Sequence, residues 1–142
     1  MSEEDSKELA HAGSFGIHLN FETKQPMSAQ ELSDVIGKVL MGIGKELSTD
    51  SGLIGHAKVF IKTPEGFIKV NLVDLDIGFD TEDSLGGKKV SRGTMNIMAA
   101  VVGRNDEAVK AAISEAVAAM SKSFKVIDEP QKKGATNMIS LG

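Results

Sequence analysis

The stretch from Ala57 to Leu72 admits one strand pairing. Ala57, Val59 and Ile61 recur at every second position, Thr63-Pro64-Glu65-Gly66 intervenes, and Ile68, Val70 and Leu72 resume the alternation. Proline sets φ and glycine permits the return, so the tetrapeptide reads as a turn. With Thr63 opposite Gly66, Ile61 faces Ile68, Val59 faces Val70 and Ala57 faces Leu72. A slip of one residue would put every apolar side chain on the wrong side, so pattern and turn agree on a single register. That register sends His56, Lys58, Phe60, Lys62, Phe67 and Lys69 to the other face, with Lys62 beside Phe67 and Phe60 beside Lys69.

A hairpin with one apolar face needs more strands and a cover. In Ser14–Glu22, Phe15, Ile17, Leu19 and Phe21 alternate as a half-buried strand does. Met27 then precedes Ser28-Ala29-Gln30-Glu31, a capping box with its hydrophobic neighbour. Leu32, Val35, Ile36, Val39, Leu40, Ile43 and Leu47 follow at three- and four-residue spacing, the stripe of an amphipathic helix. Gly37, Gly42 and Gly44 weaken that helix, and close approach to a sheet is the compensating reason. Ser48–Gly52 ends it.

Beyond the hairpin the apolar positions change phase, from Ile68, Val70 and Leu72 to Val73, Leu75, Ile77 and Phe79. One extra residue near Leu72-Val73, a β-bulge, restores a single buried face and leaves Asp74, Asp76, Gly78 and Asp80 on the other. Ser84–Gly87 reads as a hairpin turn, and a strand near Lys89–Val102 buries Met95, Ile97, Ala99 and Val101. Asn105 caps a second helix with Val109, Ala112, Ile113, Ala116, Val117 and Met120 on one side. Phe124–Ile127 gives a short last strand.

The order β-α-β-β-β-α-β predicts an α+β fold, a two-layer α/β sandwich with both helices on one face of a mixed sheet. Its plan is ferredoxin-like with one added strand. Residues 1–12 are expected to be a flexible N-terminal segment, 13–128 a single domain and 129–142 a mobile C-terminal tail, unless Met138, Ile139 and Leu141 dock. The plan hosts many unrelated activities, so function must be argued from a site.

Composition removes several classes. The 142 residues include no cysteine, which excludes disulfides, thiolate metal sites and a cysteine nucleophile. Six Phe stand without Trp or Tyr, so neither a Tyr/Trp stacking platform nor a tyrosine acid or base is available. The polar N-terminus carries no secretory signal, and no apolar run approaches the ~20 residues of a membrane helix. The expected setting is cytoplasmic, without a membrane partner. A net charge of −4 argues against unselective nucleic-acid binding.

The helix-free face is where chemistry is expected. Carrying the register past the bulge sets His56 near Asp74, Asp76 near Asn96 and Asp80 near Arg92, with His18 and Asn20 on the same face. His56 with Asp74 and Asp76 is a candidate metal site, and His56 with Asp74 a candidate catalytic base and orienter. Alternating aspartates also simply suit a solvated strand face. His18, Asn96 and Arg104 are candidate ligand-binding residues, Arg104 because it precedes a helix N-terminus. Phe60, Phe67, Met98 and Val102, with Ala100, form a candidate interface. No cofactor is named by any motif, and Gly86-Gly87-Lys88-Lys89 lacks the strand–loop–helix setting of a phosphate loop.

Three functions follow. The first is a homo-oligomeric module, regulatory or small-ligand-binding, that uses the free sheet face. The second is an enzyme built on His56 with Asp74 or Asp76. The third is an RNA-binding domain that stacks bases on Phe60 and Phe67 among lysines.

Overall fold

The computed structural model describes residues 12–127 except 51 and 54. Among these, six strands and two helices run in the order β1 (Ala12–Met27), α1 (Ala29–Leu47), β2 (Gly55–Thr63), β3 (Gly66–Asp74), β4 (Gly78–Asp83), β5 (Val90–Val102), α2 (Asp106–Met120) and β6 (Phe124–Ile127). The strands form one open sheet ordered β4-β3-β2-β5-β1-β6. The flexible and mobile segments expected at the termini, with Met138, Ile139 and Leu141, lie outside the described residues, apart from Ala12, which opens β1.

Every adjacent pair is antiparallel, which corrects the mixed sheet expected from the helical crossovers. The reason is topological. β5 lies between β1 and β2 and opposes both, so the strands joined by α1 are parallel without touching. In the same way β1 separates β5 from β6, the pair joined by α2.

The β2–β3 hairpin has the register read from its sequence, with Ala57 opposite Leu72, Val59 opposite Val70, Ile61 opposite Ile68 and Thr63 opposite Gly66. Thr63 holds the turn. Its hydroxyl oxygen accepts from the backbone N–H of Glu65 and of Gly66, each at 3.1 Å, and donates to the Gly66 carbonyl at 2.8 Å. Gly66 adopts φ 145°, a conformation that favours glycine.

The phase change has a different cause from the one expected. The chain does not continue as one bulged strand: it turns at residues 75–77 and returns as β4 along β3, which makes the sixth strand. A register irregularity does fall between Leu72 and Asp74, inside this second hairpin. One Asp74 carboxylate oxygen accepts from the N–H groups of Asp76 (2.8 Å) and Ile77 (2.6 Å), a local bond that competes with strand continuation. Ser84–Lys89 is likewise not a hairpin turn. β4 and β5 lie three places apart in the sheet, and Leu85 in the connection is fully buried.

Both helices cover one face. Leu32, Ile36, Leu40 and Ile43 of α1 and Val109, Ala112 and Ile113 of α2 form one core with Val59, Ile61, Ile68, Val70, Met95 and Ile97 of the sheet. The Ser28 capping box is present: the Ser28 hydroxyl oxygen accepts from Glu31 N–H at 3.1 Å and a Glu31 carboxylate oxygen accepts from Ser28 N–H at 3.0 Å. Phe21 and Phe124 meet within the core with ring centroids 5.5 Å apart. Among the described residues the other face of the sheet carries no helix.

Candidate functional site

Side chains on the bare face stand in rows across the strands. One row runs Glu82, Lys69, Phe60, Asn96, His18 from β4 to β1, and the next runs Phe67, Lys62, Thr94, Asn20, Ile127 from β3 to β6. A third contains Asp80, Asn71, Lys58, Met98 and Gly16.

Phe60 and Phe67 stack across the hairpin, centroids 5.9 Å apart and planes 21° from parallel, and both are half-buried. Met98 is 39% exposed; its neighbour on β1 is Gly16, which has no side chain to cover it. Val73 on β3 and Ile127 on β6 add exposed apolar surface to this face. Val102 occupies the same face at the far end of β5 and is half-buried.

His56 lies near the start of β2, Asp74 at the end of β3 and Asp76 in the turn that follows. His56 lies opposite Ala100. Asp74 closes β3 with a carboxylate oxygen engaged in its own turn, and Asp76 lies in that turn. The expected pairs Asp76–Asn96 and Asp80–Arg92 are replaced by Asn96 between His18 and Phe60, Asp80 opposite Asn71, and Arg92 opposite Glu22. The second hairpin is responsible, because it carries β4 to the sheet edge, remote from β5. Among the described residues no three His, Asp or Glu side chains gather as metal ligands would.

Arg104 is engaged by the end of α1. Its Nε donates to the Leu47 carbonyl at 3.1 Å and a terminal nitrogen donates to the Ser48 carbonyl at 2.6 Å. Those carbonyls belong to the end of α1, where intrahelical donors are missing, so Arg104 caps α1 rather than serving the N-terminus of α2. The α2 N-terminus is closed by Asn105, whose side-chain oxygen accepts from Ala108 N–H at 2.8 Å.

His18 and Asn96 do come together. Asn96 Oδ1 lies 2.5 Å from His18 Nδ1, so the amide oxygen accepts an Nδ1–H and orients the ring. Beside them the bare face sinks into an open basin of about 710 Å³, bordered by Asn20, Glu22, Lys62, Arg92 and Thr94, with Pro64 and Ile127 as apolar margins. Sequence reasoning missed this basin. Its members come from β1, β2, β5 and β6, and only the β2 contribution belongs to a pairing that local turn chemistry encodes.

A second groove, about 430 Å³, lies between α1 and α2 and is lined by Val35, Val39, Gly42, Ala116 and Ala119 with Lys38, Glu46 and Glu115 around it. No helix among the described residues is long and apolar enough to cross a membrane. No protein family, curated protein or solved structure matches the chain.

Proposed function

We propose that this chain is a homo-oligomeric binding module, regulatory or small-ligand-binding, that works through its helix-free sheet face. One observation carries the reading: of the four most exposed large apolar residues among the described residues, Val73, Met98 and Ile127 belong to that face, and Ile77 lies in the turn beside it. Exposed Met98 with the half-buried Phe60 and Phe67 on β2 and β3 gives this face apolar surface of the kind that supports an interface. The face is also self-complementary in charge. Lys58, Lys62 and Lys69 stand near its middle and Asp80 and Glu82 on its β4 edge, so two copies related by a two-fold axis bring acidic edge to basic centre.

The underlying plan in this reading is ferredoxin-like: β2-β5-β1-β6 with α1 and α2 forms the interlocked unit, and β3 and β4 are a hairpin added at the β2 edge. A cytoplasmic setting belongs to the same proposal and rests on the absence of cysteine.

The test is mass in solution. The wild type should sediment as a dimer at high micromolar concentration, and Phe60→Ser with Phe67→Ser should give a folded chain of half that mass. A monomeric wild type would overturn the proposal. The stacked Phe60–Phe67 pair among Lys58, Lys62 and Lys69 favours RNA as a second reading; in that case single-stranded RNA binds with an affinity that falls steeply as salt rises.

A further inference from the structure

We infer that the basin beside His18 binds a small organic oxyanion, a phosphate- or carboxylate-bearing molecule, with Lys62 and Arg92 as its charge partners. This rests on the reading of the helix-free face as a ligand-binding surface and names the class of ligand.

The basin is lined by two of the bare face's cationic side chains. Lys62 extends from β2 and Arg92 from β5, and both are exposed. Arginine offers a planar pair of donors that match two oxygens of a carboxylate or phosphate, and lysine adds a mobile point charge. Neutral polar groups stand beside them. Thr94 stands between Lys62 and Asn20 in one cross-strand row, and both Thr94 and Asn20 line the basin. His18 forms a wall whose ring is oriented by Asn96, so part of the surface is organised without a ligand.

Glu22 faces Arg92 across the β1–β5 pair and is the one carboxylate bordering the basin. It disfavours a ligand that is anionic throughout and accepts hydrogen bonds from a hydroxyl or amino group. Pro64 and Ile127 supply apolar margins. The volume of about 710 Å³ lies in the range of small-molecule sites, roughly 300–1,000 Å³, and exceeds the needs of an inorganic ion. The ligand described by these features is an oxyanion head on a hydroxylated or amino-bearing body.

The experiment is a titration of the full chain with inorganic phosphate as the probe, followed by backbone amide resonances, with sedimentation run on the same samples. Saturable shifts confined to Asn20, Lys62, Arg92 and Thr94 are expected. Lys62→Gln with Arg92→Gln should weaken them by about tenfold or more while the remaining spectrum stays that of the folded wild type. Shifts that fail to saturate, that scatter over the surface, or that persist unchanged in the double variant would overturn the anion site. If that variant is unfolded, the single Lys62→Gln and Arg92→Gln variants decide by the same criteria. Site-specific shifts in a chain that remains monomeric keep the anion site and remove the oligomer; a dimer without such shifts keeps the oligomer and removes the site.

Discussion

Ser28 and three glycines show how far single residues can be read. The capping box closes in both directions, so Ser28→Ala should lower stability by about 1 kcal/mol, measured as the denaturation midpoint. Its carboxylate half titrates. The backbone and side-chain hydrogen bonds of Ser28 hold the Glu31 carboxyl below its usual range. The contribution is therefore complete above the unfolded carboxyl range and is lost as pH falls through the lowered folded value. The stability gap between wild type and Glu31→Gln should close accordingly in acid. The glycines of α1 divide by surroundings. A Cβ at Gly37 would overlap the Phe79 ring and one at Gly44 would stand 2.7 Å from Leu72 Cδ2, whereas one at Gly42 meets nothing within 4 Å. Gly42→Ala should accordingly raise stability by roughly 0.5–1 kcal/mol, and Gly37→Ala should lower it by about 1–3 kcal/mol, in thermal or chemical unfolding. All three glycines look alike in the sequence; only the element packed against each tells them apart.

Among the elements, α1 depends on a residue from the far side of the chain. The C-terminal carbonyls at Leu47 and Ser48 accept from Arg104, more than fifty residues later. Arg104→Ala removes the cation and leaves both carbonyls short of a donor, and should cost about 1.5–3 kcal/mol by denaturant unfolding. Lys in its place restores the charge without the paired geometry and should recover only part. The second hairpin shows the opposite dependence. Asp74 binds the N–H groups two and three residues ahead, a signal present in the sequence but outweighed there by the alternation of Val73, Leu75, Ile77 and Phe79. The strand–turn–strand instead leaves Val73 and Ile77 exposed, so that alternation does not mark one buried face. Short local hydrogen bonds decided for the turn.

At the scale of the whole molecule, the helix-free face follows from two helices sharing one side of the sheet, as their apolar stripes required. Local chemistry determined what it could reach: the β2–β3 register, the caps at Ser28 and Asn105, the buried faces of β1 and β5, and therefore the outward placement of Phe60 and Phe67. Each of these depends on residues a few positions apart, so periodicity and turn geometry suffice. Tertiary structure alone decided the neighbours of β5, the displacement of β4 to the edge and the transfer of Arg104 to α1. Those pairings join segments separated by tens of residues, and any strand with one apolar face satisfies the same pattern. The basin at His18, Lys62 and Arg92 has the same origin, because its walls become adjacent only when β5 enters between β1 and β2.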